Sequence, residues 1–117
     1  MKSDGYIEGF LLAVPNANKE AYRRVAAEGA KLFMAHGATE VVECWGDDVP
    51  EGKLTSMPMA VQCRDGETVV FSWIGWPSRE ARDAGMRAVM DDPRFPQEMP
   101  FDGKRMIFGG FRVLVQA

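Results

Sequence analysis

The chain has one histidine, His36, so any imidazole proton transfer near neutral pH falls on it alone. His36 closes an apolar stripe of helical spacing (Tyr22, Val25, Ala26, Gly29, Phe33, His36), where a cation also suits the negative end of a helix dipole. Asp47 and Asp48 share a Gly- and Pro-rich stretch with Glu51 and Lys53. A carboxylate there serves as a base or an oxygen ligand, or else holds a turn by bonding to backbone N–H groups. Lys104 and Arg105 follow Asp102 and Gly103. Two cations beside a tight turn suit a carboxylate or phosphate, which Arg105 can grip with two parallel bonds, or an internal pair with the acidic loop. Trp45, Trp73, Trp76, Tyr6, Tyr22 and Phe71 are the aromatics able to line an apolar cavity or to build a core. The candidate catalytic residues are therefore His36, Asp47 and Asp48. The candidate ligand-binding residues are Lys53, Trp73, Lys104 and Arg105.

No metal or cofactor is expected. The two cysteines, Cys44 and Cys63, are too far apart in sequence for a zinc knuckle and read as reduced thiols. No HExxH, GxSxG, GxGxxG or Walker pattern occurs. Lys and Arg number 14 against 17 Asp and Glu, a net charge of -3, so the basic excess that replaces phosphate counterions is missing and nucleic acid is not an expected partner. No basic start leads into an apolar run, and the longest apolar stretch, 10–14, is far short of the ~20 residues of a membrane span. The expectation is a cytoplasmic protein of one domain, 1–117, large enough to bury a core without staples.

The elements that must position these residues follow from the patterning. Residues 6–14 read as a strand that Pro15 stops. A helix capped by Asn16 or Asn18 runs to Gly37, which suits the left-handed position after a helix end. Strands are expected at 39–45, 68–76 and 105–115, with a helix over 79–90 behind the N-cap Ser78. A further short strand at 59–64 would join 68–76 through the Asp65-Gly66 turn as a hairpin. Gly109 and Gly110, inside the last strand, mark a bulge or a close backbone approach. The order is βαββαβ with an extra short strand in the β2–β3 connection, a ferredoxin-like α+β fold of strand order 4-1-3-2 with both helices on one face. Yet the strands are apolar on both faces: Phe10, Leu12 and Val14 oppose Leu11 and Ala13, and Val69, Phe71 and Trp73 oppose Val70 and Ile74. Two helices cover one face only. A second copy of the chain, packed sheet to sheet, covers the other and yields a homodimeric α/β barrel.

Four stretches carry a resemblance to a known family: 4–10 (DGYIEGF), 46–56 (GDDVPEGKLTS), 67–73 (ETVVFSW) and 99–111 (MPFDGKRMIFGGF). In that order, across nearly the whole chain, they resemble the YbaA-like family of small bacterial proteins. The resemblance implies a dimeric α/β-barrel fold and brings no assigned activity and no catalytic residues. The expected role is binding of a small, partly apolar molecule between sheet and helices. The alternatives are a cofactor-independent enzyme, monooxygenase- or isomerase-like, on a small flat substrate, and a purely structural or interaction module.

Overall fold

A computed structural model describes residues 5–117. Asp4, which opens the first of the four stretches, lies outside the described residues with Met1, Lys2 and Ser3, as does the chain start that was read for a leader. The strand β1 (Tyr6–Pro15) pairs antiparallel along its whole length with β3 (Glu67–Trp76). β1's other edge takes β4 (Ile107–Arg112), and β3's takes β2 (Glu40–Trp45). The resulting order is β2-β3-β1-β4, with every neighbouring pair antiparallel.

Helices α1 (Lys19–Ala35) and α3 (Arg79–Asp91) lie against one face. Alternation decides which side chains they meet. Tyr6, Leu12 and Val14 of β1 and Val70, Ile74 and Trp76 of β3 point to the helices and pack with Tyr22 and Phe33 of α1 and Met86 of α3. Trp76 is completely buried, and α3 lies so close that a Cβ on Gly85 would fall 2.2 Å from its ring. That contact explains a glycine inside a helix, where it otherwise costs stability. Gly37 follows the end of α1 at φ 108°, and Ser78 accepts the Ala81 N–H at 3.1 Å as the N-cap of α3. Asn18 precedes α1 without a side-chain cap, and its side-chain N–H donates to the Pro100 carbonyl at 3.0 Å.

The expected strand at 59–64 is absent, and with it the hairpin. Ser56 caps a single helical turn, α2 (Met57–Ala60), by accepting the Met59 N–H at 3.1 Å, and Pro58 sits in its first turn. Local capping outweighs the alternation of Met59, Val61 and Cys63. Gln62 then reverses the chain at φ 50°, and Val61 drops onto Ala13 and Val69. Those two residues lie on the sheet face away from the helices, so the 57–64 segment covers one end of that face. The rest is open: Phe71 is 45% exposed, Ile107 47% and Phe111 62%, beside half-buried Ile7, Leu11 and Trp73. β4 is also shorter than expected. It ends at Arg112, opposite Tyr6, leaving Leu114 95% exposed.

Candidate functional site

β2 places Val41, Glu43 and Trp45 on the helix side of the sheet, opposite Ile74, Ser72 and Val70 of β3. The N-terminal half of α1 passes above them. Between the two runs a cleft of about 270 Å³, walled by Ala26, Ala27, Ala30, Val41, Val70 and Trp45. Lys19, Tyr22, Arg23, Glu43 and Cys44 supply its polar groups. Tyr22, buried on α1, donates its hydroxyl to Glu43 Oε1 at 2.7 Å. Lys19 holds its Nζ 5.1 Å from the Trp45 ring centroid, a cation–π contact. Glu43 stands on an edge strand and keeps one side toward solvent, but crowding by α1 disfavours its charged form and raises its pKa, against a smaller lowering by the Tyr22 hydroxyl. Burial, then the neighbouring Glu43 charge, pushes the Tyr22 hydroxyl far up, so it stays a donor. A carboxyl of raised pKa with a fixed hydroxyl donor, in a small apolar cleft, can hold a ligand hydroxyl or move a proton.

The sequence-named residues lie mostly elsewhere. His36 is one residue beyond α1, with Nε2 3.2 Å from Asp92 Oδ2 just after α3, so it ties two helix ends together. Arg94, then its own backbone N–H, then His36 hold the Asp92 carboxyl well below the usual carboxylate range. Asp47, Asp48 and Lys53 are exposed in the loop after β2. Asp47 borders a second, more polar hollow of about 360 Å³ that Glu51, Cys63, Arg64 and Glu67 also line. Trp73 points away from the helices and sits 5.5 Å from the Phe71 ring on the open face, so it lines no cavity between sheet and helices. Lys104 is exposed.

Arg105 is already engaged. Its side chain is 9% exposed and grips Glu67 with two bonds of 2.8 and 2.9 Å, with Asp102 3.1 Å away and the Gln62 carbonyl at 2.9 Å. It pairs with neither Asp47 nor Asp48. This clamp, chiefly through the Arg105 bonds, takes Glu67 down to about 2. Arg105 is thus a lock on the turn at Gln62 and has no free fork for an anion.

Sequence reasoning missed Glu43 and Glu8. Glu8 lies on the central strand β1, faces the helices and is 2% exposed. Arg82 of α3 donates to its Oε1 at 2.6 Å and to the Tyr6 hydroxyl at 3.1 Å. A Cβ on Gly110 would meet the Tyr6 hydroxyl at 2.5 Å, so the glycine in β4 does mark a close approach. One signal for both carboxylates is in the alternation: Glu8 falls in phase with Tyr6 and Phe10, and Glu43 in phase with Val41 and Trp45. Among the described residues, no cluster of three or more His, Cys, Asp or Glu is arranged to hold a metal. No helix there is long and apolar enough to cross a membrane.

Residues 5–103 match the family model described as "protein of unknown function (DUF1428)". The chain belongs to this family. It is also 53% identical over 113 residues to the uncharacterized protein YbaA of Escherichia coli K12, covering 94% of this chain and 97% of that one. YbaA of Shigella flexneri matches with the same identity and coverage. The DUF1428 match takes in the cleft, the Arg82–Glu8 pair and α2, and stops at Gly103, two residues before the Arg105 clamp.

Proposed function

We propose that this DUF1428 protein is a cytoplasmic, homodimeric, ferredoxin-like α/β barrel of one domain that binds a small, partly apolar molecule between α1 and β2. The observation that carries the binding reading is the Tyr22–Glu43 hydrogen bond in a cleft whose walls are mainly alanine, valine and Trp45. A packed structural module has no use for a partly desolvated carboxyl beside empty apolar volume. The dimer reading rests on the open sheet face. Phe71, Trp73 and Phe111 can each bury roughly 150–250 Å², a large part of the ~800 Å² per partner of a stable interface.

Titration of the labelled protein with phenol, a neutral single ring, tests the binding reading. Amide and methyl signals of Ala26, Ala30, Val41 and Trp45 shift together, and Ala30→Trp, which fills the cleft, removes the response. Shifts confined to other surfaces overturn the reading. Sedimentation equilibrium tests the dimer, and a monomer mass at micromolar concentration overturns it.

One observation favours a second reading, that of a cofactor-independent enzyme on a small flat substrate. The raised pKa of Glu43 moves it toward the range in which a carboxyl trades protons near neutral pH. In that case Glu43 is the base and Tyr22 its positioning donor. Turnover that Glu43→Gln abolishes while binding persists identifies the enzyme.

A further inference from the structure

Paired residues line up in rows across the four strands. One row of the open face reads, from β2 to β4, Val42, Trp73, Gly9 and Gly109. Its relief is uneven. On β3, Trp73 and Phe71 form an aromatic ridge with ring centroids 5.5 Å apart. On β1 and β4, two glycines leave the backbone bare. A Cβ on Gly9 or Gly109 would touch the Phe111 ring at 3.6 or 3.7 Å, so that ring lies down over both glycines as a low shelf. Charge is uneven as well. The edge strand β2 carries Glu40 and Glu43 and no base, whereas the opposite edge strand β4 carries Arg112 and no acid.

Two aligned sheets stack face to face about a two-fold axis that runs either across the strands or along them. An axis across the strands sets each strand against its own copy. Ridge then meets ridge, shelf meets shelf, and the two acids of β2 lie beside two more. An axis along β1 exchanges the flanks instead. Ridge meets shelf in the same row, and the acidic edge of each copy runs antiparallel beside the basic edge of the other. Close approach matters, since a stable interface buries ~800 Å² per partner and colliding ridges would hold the sheets apart.

We propose that two copies stack about an axis along β1, with Trp73 of each on the Phe111 shelf of the partner subunit and β2 of each beside the partner's β4. The proposal rests on the dimer reading above and adds the arrangement. It also makes the α1–β2 cleft a site of two chains. Phe108 is an exposed aromatic on the helix side of β4, in the same row as Glu43 but three strands away from it. With β4 of the partner subunit beside β2, Phe108 of the partner subunit stands against the solvent flank of Glu43, at the edge of the cleft.

A thiol bridge tests the arrangement. Cys44 and Ile107 end one row of the open face on opposite edges. In a Cys63→Ser background, Ile107→Cys treated with a mild oxidant or a short bis-maleimide is expected to give a covalent dimer, and Cys44→Ser should abolish it. A covalent dimer that survives Cys44→Ser joins the two substituted 107 positions and overturns the axis. A dimer mass with no bridge between 44 and 107 also overturns the arrangement and leaves the dimer reading standing. Gly109→Leu, checked for native circular dichroism, raises the shelf and is expected to weaken the dimer at least about tenfold, the scale of an interface anchor. Adding Trp73→Ala should recover most of that loss, and no recovery overturns the stacking of ridge on shelf. Phe108→Ala is expected to shift the Glu43 carboxyl carbon signal in the dimer and not in the Phe111→Asp background. A shift in both backgrounds travels within one chain and overturns the shared cleft. A monomer mass for the parent chain at micromolar concentration overturns the dimer reading and the arrangement with it.

Discussion

The two faces of the sheet are made by the same strands and meet opposite fates. On the helix side, Leu12, Val14, Val70, Ile74 and Trp76 are buried under α1 and α3. On the other side, Ala13 and Val69 are buried under Val61, whereas Phe71, Ile107 and Phe111 stay exposed. Hydrophobicity does not separate the faces, since both are apolar. They differ in where polar chemistry is admitted. Glu8, Ser72 and Glu43 all point to the helices, and Glu8 and Ser72 are buried there. The open face carries its large aromatics, with Glu40 at the edge, where it accepts the Trp73 indole N–H at 3.4 Å, and Glu67 at the covered end, where Arg105 pairs with it. A face meant for solvent would alternate to polar residues, and one meant for a small ligand would hold directional groups. The helix face therefore suits the proposed binding region, and the open face the proposed partner surface.

The largest effect expected from breaking this contrast is on the helix side. Trp76→Ala removes a fully buried indole under Gly85 and should cost about 3–5 kcal/mol in urea unfolding. Trp73→Ala, three residues away on the same strand but on the open face, should cost the isolated chain far less. Equal losses would mean that the two faces are equally packed in one subunit.

Next comes the open face itself. Phe111→Asp leaves the helix-side core untouched and places a charge in the middle of the proposed interface. Dimer dissociation should become easier by about 2 kcal/mol or more, as for a central aromatic anchor, while the melting transition of the dilute protein barely moves. Sedimentation of the variant and the parent at matched concentrations gives the answer. An unchanged mass would place any dimer contact elsewhere.

Much of this division was readable from residue types. The double-sided apolar strands and the helix limits at Gly37 and Ser78 follow from alternation and capping, the strand order from the fold that the βαββαβ sequence of elements suggests, and the close approach at Gly110 from a glycine within a strand. The 57–64 segment did not, because three alternating apolar residues look like a strand unless Ser56 and Pro58 are weighed as a helix start. Arg105 was legible as a cation beside a turn, but its partner Glu67 is 38 residues away and no local spacing joins them. Glu43 was hidden for the opposite reason. A lone carboxylate in an edge strand ordinarily faces water, and only the position of α1, set by tertiary packing, brings the Tyr22 hydroxyl onto it while its other side stays exposed.

A smaller effect sharpens the helix side. Tyr22→Phe deletes the hydroxyl that Glu43 accepts and should cost about 0.5–1.5 kcal/mol. Because that bond favours the charged carboxylate, its loss should raise the Glu43 pKa further, as read by carbon NMR of the carboxyl. A fall in that pKa would mean the hydroxyl is not bonded to the ionised form.

The smallest effect is local and lies where the open face is partly covered. Arg105 binds Glu67 and the Gln62 carbonyl, and Glu67 also accepts the Arg64 N–H at 2.8 Å, so one ionised carboxylate holds the turn that seats Val61. The folded-state pKa of Glu67 is depressed, from its ordinary 4.5 to about 2. Its contribution is therefore fully present above pH ~4.5 and is lost as the pH falls through about 2. Within that window the Cys63 N–H, which donates to the Pro58 carbonyl at 2.9 Å, should lose exchange protection before the β1–β3 ladder does. Other acids titrate in the same range, Asp92 and Asp102 among them, so acid alone does not assign the cause. Glu67→Gln supplies the control, since it should loosen the Cys63 amide already at neutral pH while Leu12 and Ile74 stay protected. If the amide holds in the variant, Val61 is seated by its own burial on Ala13 and Val69, and the cover over this end of the sheet needs no ionic lock.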